Sequence, residues 1–259
     1  MNQPDIKAIE YLNRDPLRNL ATLKHLLLYK DSVEISIAED TFDWALLVRL
    51  PTELLSYDSA TYPDAKQAIF INGSSDPLKQ VLLSKLSHND YILRTNERLD
   101  LSILKNRFDI TQGNSYVSYS CSSISSNSPP ETIQESYVLT DEAEALISRN
   151  GYTRQELHKY FKNGSVWFGY IESGEIKSIC FVYQNHDNIW EIAGVHTVEA
   201  DRKKGFARLV VLAAVRYLLE NGLIPRYEVD INNTTSINLA ESLGMKQFLR
   251  IDHFLLKPF

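Results

Sequence analysis

Apolar positions in the first half of the chain follow a period of two residues in several short runs. "VEISIA", from residue 33, alternates clearly and predicts a half-buried strand, and "FDWALLVRL", "AIFIN", "YILRT" and "SYVSYS" have the length of strands. Asp15-Pro16 and Asp76-Pro77 each predict a helix start, because a proline in the first helical turn removes no needed donor. The expected helices run to about Lys30 and Leu86, and another lies near 98–107. The predicted order is two helices, three strands, helix, strand, helix, strand.

The same order of elements recurs after residue 130. "ESYVLT" predicts a strand, and 141–149 and 153–162 fit helices. Strands are expected at "VWFGYI", "IKSICFVY" and "IWEIAGVHT". A long helix follows, with one apolar face and stop signals at Gly222 and Pro225. Strand "RYEVDI", a helix at 235–243 and terminal strands from about 247 complete the half. The repeat predicts a mixed α/β fold of two tandem domains, 1–121 and 131–259, joined by a serine- and proline-rich linker at 122–130.

Composition narrows the class of protein. The 259 residues carry a net charge of −6, divided evenly between the halves, so neither half has the basic character of a nucleic-acid-binding domain. No apolar run approaches a membrane span, and the start of the chain lacks the apolar core of a signal peptide. Cys121 and Cys180 are too few for a disulfide framework or a zinc site. We expect a cytoplasmic protein with no metal and no nucleic-acid or membrane partner.

Residues 198–222 contain the most informative pattern, three adjacent cations and a glycine where a strand leads into a long helix. The first N–H groups of a helix have no partner in the chain, and with the helix dipole they form a cradle for anions such as phosphate. Gly205 would let an anion approach the backbone without a Cβ in the way, and Ala207 keeps the next turn small. The alternative is a solvated turn with an ordinary loop glycine. Neither G-x-x-x-x-G-K-[ST] nor G-x-G-x-x-G occurs.

Two motifs carry a resemblance to a known family. "RKKGFA" resembles the R/Q-x-x-G-x-G/A signature of the GNAT acyltransferase superfamily, and "NTTSINLAESLGM" resembles its second motif, N-x-x-S-x-x-L followed by a glycine turn. Within that superfamily, 131–259 is most similar to the branch that contains the glycine N-acyltransferase-like proteins. The first half resembles the fold only by element order, because its "GSSDPLKQ" lacks the glycine spacing and most of the charge. We interpret the first half as a degenerate GNAT-like copy.

The resemblance implies an acyl-CoA cosubstrate, expected to be acetyl-CoA, and no metal. It places the pyrophosphate on Arg202 to Ala207. The pantetheine and thioester would lie along the backbone of Val195 to Thr197, at the end of the preceding strand. An oxyanion donor would be a backbone N–H near Val195 to Thr197. The expected cofactor-binding residues are Val195, His196, Thr197, Arg202, Lys203, Lys204, Gly205, Phe206, Ala207, Asn233 and Ser236.

Glu191 is the candidate general base. It lies eleven residues before Arg202, an offset at which some family members carry a catalytic glutamate, and its neighbours Trp190 and Ile192 would raise a carboxyl pKa. On strand pattern alone it also fits a glutamate on the solvated face of the strand. Many relatives have a tyrosine acid just after the leucine of the second motif, where this chain has Ala240.

These residues predict an acyl-CoA-dependent N-acyltransferase that acts on the amine of a small molecule or amino acid. Two alternatives stay open. One is a non-catalytic acyl-CoA-binding sensor, which the loss of the tyrosine at Ala240 favours. The other is a protein or peptide N-acetyltransferase. Turnover of acetyl-CoA with a panel of amines separates enzyme from sensor.

Overall fold

A computed structural model describes residues 3–96, 98–124 and 132–259 of the chain. Contacts divide these residues into two compact units. Unit 1 contains the described residues up to Tyr116 together with Leu249–Phe259, and unit 2 contains Val117–Phe248. The final eleven residues, which the sequence placed in the second domain, therefore group with the first half. Most of the expected linker at 122–130 lies outside the described residues.

The elements of the first half follow in chain order: α1 (Gln3–Leu12), α2 (Leu20–Leu28), β1 (Glu34–Glu39), β2 (Trp44–Pro51), α3 (Ser56–Thr61), β3 (Gln67–Gly73), α4 (Asp76–Ser84), β4 (Tyr91–Thr95) and β5 (Phe108–Ser120). Those of the second half are β6 (Ile133–Ser136), α5 (Asp141–Ile147), α6 (Arg154–Lys162), β7 (Val166–Glu172), β8 (Glu175–His186), β9 (Ile189–Thr197), α7 (Phe206–Glu220), β10 (Ile224–Asp230), α8 (Thr234–Ser242) and β11 (Lys246–Pro258). The mixed α/β class predicted from the sequence is confirmed.

Unit 1 is a mixed sheet with helices on both faces. β1, β2 and β3 form an antiparallel meander, β3 pairs parallel with β4, and β4 pairs antiparallel with the 252–256 segment of β11. This last pairing is why the end of the chain groups with unit 1. Strand residues on one face pack under α1 and α2, and those on the other face pack under α4.

Unit 2 has the antiparallel strands β6 to β9 followed by the parallel pair of β9 and β10. The long helix α7 covers one face, and its side chains Val210, Val211 and Ala214 are fully buried with Ala240 of α8. The other face is covered by α5 and α6 around Trp167 and Phe181. The two faces of β9 consequently meet different surroundings, which matters for the site.

Several predicted boundaries are wrong. Asp15-Pro16 opens only a turn, in which the Asp15 carboxylate accepts the backbone N–H of Arg18 at 3.1 Å, and α2 begins at Leu20. The helix expected near 98–107 is a short 3₁₀ turn, Ser102–Leu104, and the "ESYVLT" strand is replaced by the earlier β6. Each of these segments is held by local side-chain bonds or single-turn contacts that a periodicity of apolar residues does not reveal.

β9 contains a bulge where it approaches its end. Its pairing with β8 steps from Ala193 opposite Phe181 to His196 opposite Ile179, so Gly194 and Val195 together face one residue of β8. Gly194 has φ +60°, and a Cβ built there would lie 2.8 Å from the Phe181 ring and 2.9 Å from the Ile147 side chain. Only glycine fits this position, both by backbone conformation and by space.

Gly194→Ala is therefore expected to destabilise the protein by about 2–4 kcal/mol, because overpacking adds to the strain of a left-handed alanine. Gly174→Ala is the matched control, since Gly174 also has a positive φ, +82°, but nothing within 4 Å of its Cβ position. The control should lose about 1 kcal/mol. Urea unfolding measures the free energy of unfolding of both variants. Equal losses of stability would contradict the prediction, because they would show that the contacts with Phe181 and Ile147 add no cost at Gly194.

Candidate active site

Two parallel strands separate in the middle of unit 2. β9 and β10 pair from Ile189 opposite Ile224 as far as Glu191 opposite Arg226. Beyond this point β9 continues to Thr197 and β10 to Asp230, but these described parts of the two strands do not pair with each other. A gap thus opens between the carboxyl ends of neighbouring parallel strands, the usual place for a ligand in α/β sheets.

The start of α7 lies just after this gap and has a free backbone edge. Gly205 caps the helix with φ +85°, and Lys203 also has a positive φ of +64°. Within the described ranges, the backbone N–H groups from Lys203 to Ala207 donate to no backbone acceptor. A Cβ built on Gly205 would meet no atom within 4 Å, so the space in front of the turn is open. These features suit a phosphate group.

The cations of the turn have different surroundings. The Lys204 ammonium lies 2.6 Å from the buried Asp201 carboxylate, so the protein supplies one negative group itself. Arg202 donates weakly to the Thr197 carbonyl at 3.4 Å, and both Arg202 and Lys203 are exposed. Two exposed cations therefore remain beside the N–H groups. Phe206, which begins the helix, stacks on Tyr170 with ring centroids 4.0 Å apart.

The end of β9 places Val195, His196 and Thr197 in half-buried positions between the gap and the turn. The Ser178 hydroxyl donates to the His196 carbonyl at 3.0 Å and lies 2.9 Å from the Thr197 hydroxyl. Burial and the nearby guanidinium groups of Arg149 and Arg202 lower the pKa of His196, so its imidazole is neutral at pH 7.

The second motif has a structural role at the start of α8. The Asn233 side chain is the N-cap and accepts the backbone N–H of Ser236 at 3.1 Å. Ser236 is half-buried, and Ala240, one turn further on, is fully buried in the core beside α7. A cap of this kind fixes where the helix begins, and it explains the asparagine without a ligand.

Glu191 is buried, not solvated: only 5% of its surface is exposed, so the solvated-strand alternative is wrong. One carboxylate oxygen lies 2.5 Å from the Arg226 guanidinium and accepts the Asn185 amide at 3.1 Å. The other oxygen accepts the backbone N–H of Glu228 at 3.0 Å. At the last pair before the strands separate, the Glu191 carboxylate of β9 therefore binds β10 through the Arg226 side chain and the Glu228 backbone N–H.

Opposing effects set the acidity of this carboxyl group. Burial raises the pKa of Glu191, the Arg226 charge opposes that rise, and the Glu228 charge adds to it, so the pKa stays above its ordinary value. Burial alone would lower the pKa of Arg226, but Glu191 and Glu228 together raise it, and the guanidinium is always charged. Arg226 is also hydrogen-bonded to the Ser118 hydroxyl at 3.0 Å and ion-paired with Glu228, which is partly exposed.

Three tyrosines surround this group on the α5–α6 face. Tyr160 and Tyr183 stack with centroids 4.3 Å apart, and Tyr152 packs edge-on against Phe181. Burial raises the pKa of each tyrosine hydroxyl, and the charge of Glu191 raises it further. The hydroxyls therefore stay protonated. These aromatic rings lie near a cluster of two carboxylates and one guanidinium.

Sequence reasoning missed every partner of Glu191. A signal was present in "RYEVDI", where alternation places Arg226 and Glu228 on one face of a buried strand, because a buried guanidinium needs ion-pair and hydrogen-bond partners for its several N–H donors. Asn185 and the three tyrosines carry no comparable signal.

In the part of the chain that the structure describes, no three His, Cys, Asp or Glu side chains form a group able to hold a metal ion. No described helix is long and apolar enough to cross a membrane.

The chain belongs to the GNAT acetyltransferase family, whose model matches residues 102–249. That match includes the strand separation, the turn before α7 and the cap of α8. It supports the family named from the two motifs. A comparison with curated proteins gave no match.

Similar solved structures agree on the fold. A GNAT-family acetyltransferase from Colwellia psychrerythraea superposes with a TM-score of 0.59 at 12% identity, covering 99% of this chain and 98% of the other. A GCN5-related N-acetyltransferase from Kribbella flavida gives 0.56 at 14% identity, covering 93% and 96%. A tandem GNAT protein from the clavulanic acid biosynthesis pathway gives 0.51 at 12% identity, covering 98% and 94%. The predicted fold class of tandem GNAT-like domains is thereby confirmed.

Removing the Arg226 guanidinium should destabilise the protein strongly. Arg226→Met leaves the Glu191 carboxylate buried without its counter-charge, and breaking such a pair costs about 3–5 kcal/mol. The loss should be largest at neutral pH and shrink as the pH falls through the raised folded-state pKa of Glu191, because protonation then removes the uncompensated charge.

The controls are Lys204→Met, which breaks a more exposed pair and should cost less than about 1 kcal/mol, and the double variant Glu191→Met/Arg226→Met. The double variant should be more stable than Arg226→Met alone. Urea unfolding from pH 5 to pH 8 gives all three values. A pH-independent loss in Arg226→Met would contradict the assigned role of Glu191.

Proposed function

We propose that this protein is an acyl-CoA-dependent N-acyltransferase, with acetyl-CoA as the expected donor, that acts on the amine of a small molecule or amino acid. Family membership supports the reaction class. The observation that carries the proposal is that three features occur together in unit 2. The start of α7 has backbone N–H groups without backbone acceptors in the described ranges, and β9 and β10 separate before it. Glu191, a buried carboxyl group with a raised pKa, lies where that separation begins.

The residues of the turn fit the pyrophosphate of an acyl-CoA. In the described ranges the N–H groups from Lys203 to Ala207 have no backbone acceptor, the Cβ position of Gly205 is open, and Arg202 and Lys203 add positive charge. Val195, His196 and Thr197 would hold the pantetheine arm along the gap, and a backbone N–H in this stretch would serve as the oxyanion donor. Bound acyl-CoA would supply the thioester. Asn233 and Ser236 would contribute by fixing the start of α8 beside the gap.

Glu191 is proposed to accept the proton of the acceptor amine, directly or through one water. An amine with a pKa near 10 is mostly protonated at pH 7 and must lose a proton before it can act as a nucleophile. The raised pKa brings the carboxyl group closer to the working range, while Arg226 keeps its charged form accessible.

The burial of the Glu191 carboxylate favours a small acceptor over a protein segment. The acyl-CoA sensor is retained as a second candidate on one observation. Ala240 is completely buried, so its position offers no hydroxyl to the leaving thiol. A thiol with a pKa near 8.5 leaves without a strong acid, which is why the enzyme is proposed first.

Gly205→Asp is expected to weaken CoA binding at least tenfold, because it adds both a side chain and a negative charge in front of the free N–H groups. Gly205→Asn separates the two effects and should lose less. Gly244→Asp is the matched control, since Gly244 also has a positive φ and open space around its Cβ position. Calorimetry with CoA measures the affinities, and equal affinity in Gly205→Asp and the wild type would rule the cradle out.

Glu191→Gln should keep CoA binding but reduce kcat by roughly 10²–10⁴-fold, the usual contribution of a general base. The amide preserves the shape of the carboxylate, and higher pH should restore part of the rate because more acceptor amine is then neutral. The wild-type rate should rise with pH through the raised pKa of Glu191 and then level off.

Glu228→Gln is the comparison variant, because Glu228 also pairs with Arg226 but is more exposed. It should change kcat by less than about tenfold. Steady-state rates with acetyl-CoA and a panel of amines and amino acids test both. If Glu228→Gln has the larger defect, Glu228 is the base; if no amine is acetylated while CoA still binds, the sensor is favoured.

A further inference from the structure

Unit 1 contains a cavity of about 270 Å³ at the place where the pairing of its own parallel strands ends. β3 and β4 pair from Gln67 opposite Tyr91 to Ile71 opposite Thr95, and the cavity lies beyond the last pair. The start of α4 and the turn at 15–19 contribute the remaining walls. The position is a ligand site by topology, since it lies outside the carboxyl ends of parallel strands.

The cavity is not a second copy of the cradle of unit 2. A Cβ on Gly73 would lie 2.5 Å from the Trp44 carbonyl oxygen, so this loop packs against β2, whereas Gly205 faces open space. Pro77 lies in the first turn of α4 and has no N–H to offer an anion. The loop also lacks the cluster of exposed cations found before α7.

Buried polar side chains line this space. Asn72 is 3% exposed and is oriented by two bonds, its amide donating to Asn19 at 3.0 Å and its carbonyl accepting from Thr22 at 2.6 Å. Lys79 is 5% exposed, and its ammonium lies 3.0 Å from the Asp76 carboxylate. Because ordering and burying such groups is costly, their presence together at a cavity indicates a polar ligand.

The Thr95 hydroxyl gives a second indication, separate from the buried amide and ammonium groups, that a ligand binds here. Thr95 is 2% exposed and lines the cavity, yet its hydroxyl has no hydrogen-bond partner in the part of the chain that the structure describes. Buried hydroxyl groups in folded proteins almost always have a partner. A ligand in the cavity would supply one.

The charges of the lining select the ligand class. Lys79 and Arg18 bring positive charge, Asp15 brings negative charge, and Trp44 and Leu99 give an apolar wall. A molecule matching all three would carry a carboxylate, an ammonium group and a short apolar part. The volume is below the usual range for drug-sized ligands, so the molecule is small. We propose that unit 1 binds a free α-amino acid in this cavity, with its carboxylate towards Lys79 and Arg18 and its ammonium group towards Asp15.

The test uses the full chain and the twenty standard L-amino acids, screened by thermal denaturation and then by calorimetry without CoA. At least one should bind with one molecule per chain in this cavity. Lys79→Met should weaken its binding tenfold or more, and Lys85→Met, at the exposed end of the same helix, should not. The amide and the N-acetyl derivative of the best ligand should both bind more weakly, since each lacks one of the two charges.

Thr95→Val keeps the test decisive if Lys79→Met fails to fold. It removes an unpartnered buried hydroxyl at nearly constant shape, so it should leave the ligand-free protein as stable as the wild type or more so, while weakening amino-acid binding several-fold. Loss of stability in ligand-free Thr95→Val would overturn the proposal. So would the absence of any amino-acid binding, binding insensitive to both variants, or preferential binding of inorganic phosphate or a second CoA in this cavity.

Discussion

The separation of two parallel strands in unit 2 is the constraint on which the other features depend. A parallel ladder that stops part-way leaves backbone groups of both strands without their sheet partners, and buried backbone groups need replacements. At the last pair, the Glu191 carboxylate accepts the Glu228 backbone N–H and binds Arg226, so both side chain and backbone of β10 are held to β9. The bulge at Gly194 then directs the rest of β9 towards the turn before α7.

The parallel strands of unit 1 end differently. The pairing of β3 with β4 stops at Ile71 and Thr95, where β4 itself ends, while Gly73 at the end of β3 packs against Trp44. Buried amide, hydroxyl and ammonium groups contribute to the lining of the space beyond the last pair. In unit 2 the corresponding glycine is open and the polar groups in front of it are backbone N–H donors. The two units therefore differ at their strand ends: unit 2 has an exposed turn with backbone N–H donors, and unit 1 has a cavity lined in part by buried polar side chains.

Local patterns in the sequence predicted the elements that bury continuous apolar faces. β7 and β9 were found within one residue, β8 within three, and α7 in its expected place, because each contributes to a core on at least one side. The failures have two causes. Asp15-Pro16 imitates a helix start but closes a turn through its own side chain. The β10 partners of Glu191 lie 35 and 37 residues away in the sequence, and no periodicity within one element reports such a pairing.

The Glu191–Arg226 pair also shows that the sequence spacing located the carboxyl group but did not reveal all the influences on its pKa. The apolar neighbours in the sequence indicated a raised pKa, whereas Arg226 opposes that rise. Burial among tyrosines favours the protonated form, and the guanidinium favours the anion. A carboxyl group with neither influence would titrate as in water, one with burial alone would stay protonated at pH 7, and one with the cation alone would be too weak a base. Holding both influences at the start of the gap leaves a carboxyl group whose proton affinity is raised while its anion remains stabilised. Such a balance requires residues from two strands in contact, so it arises only where those strands are still paired, immediately before they separate.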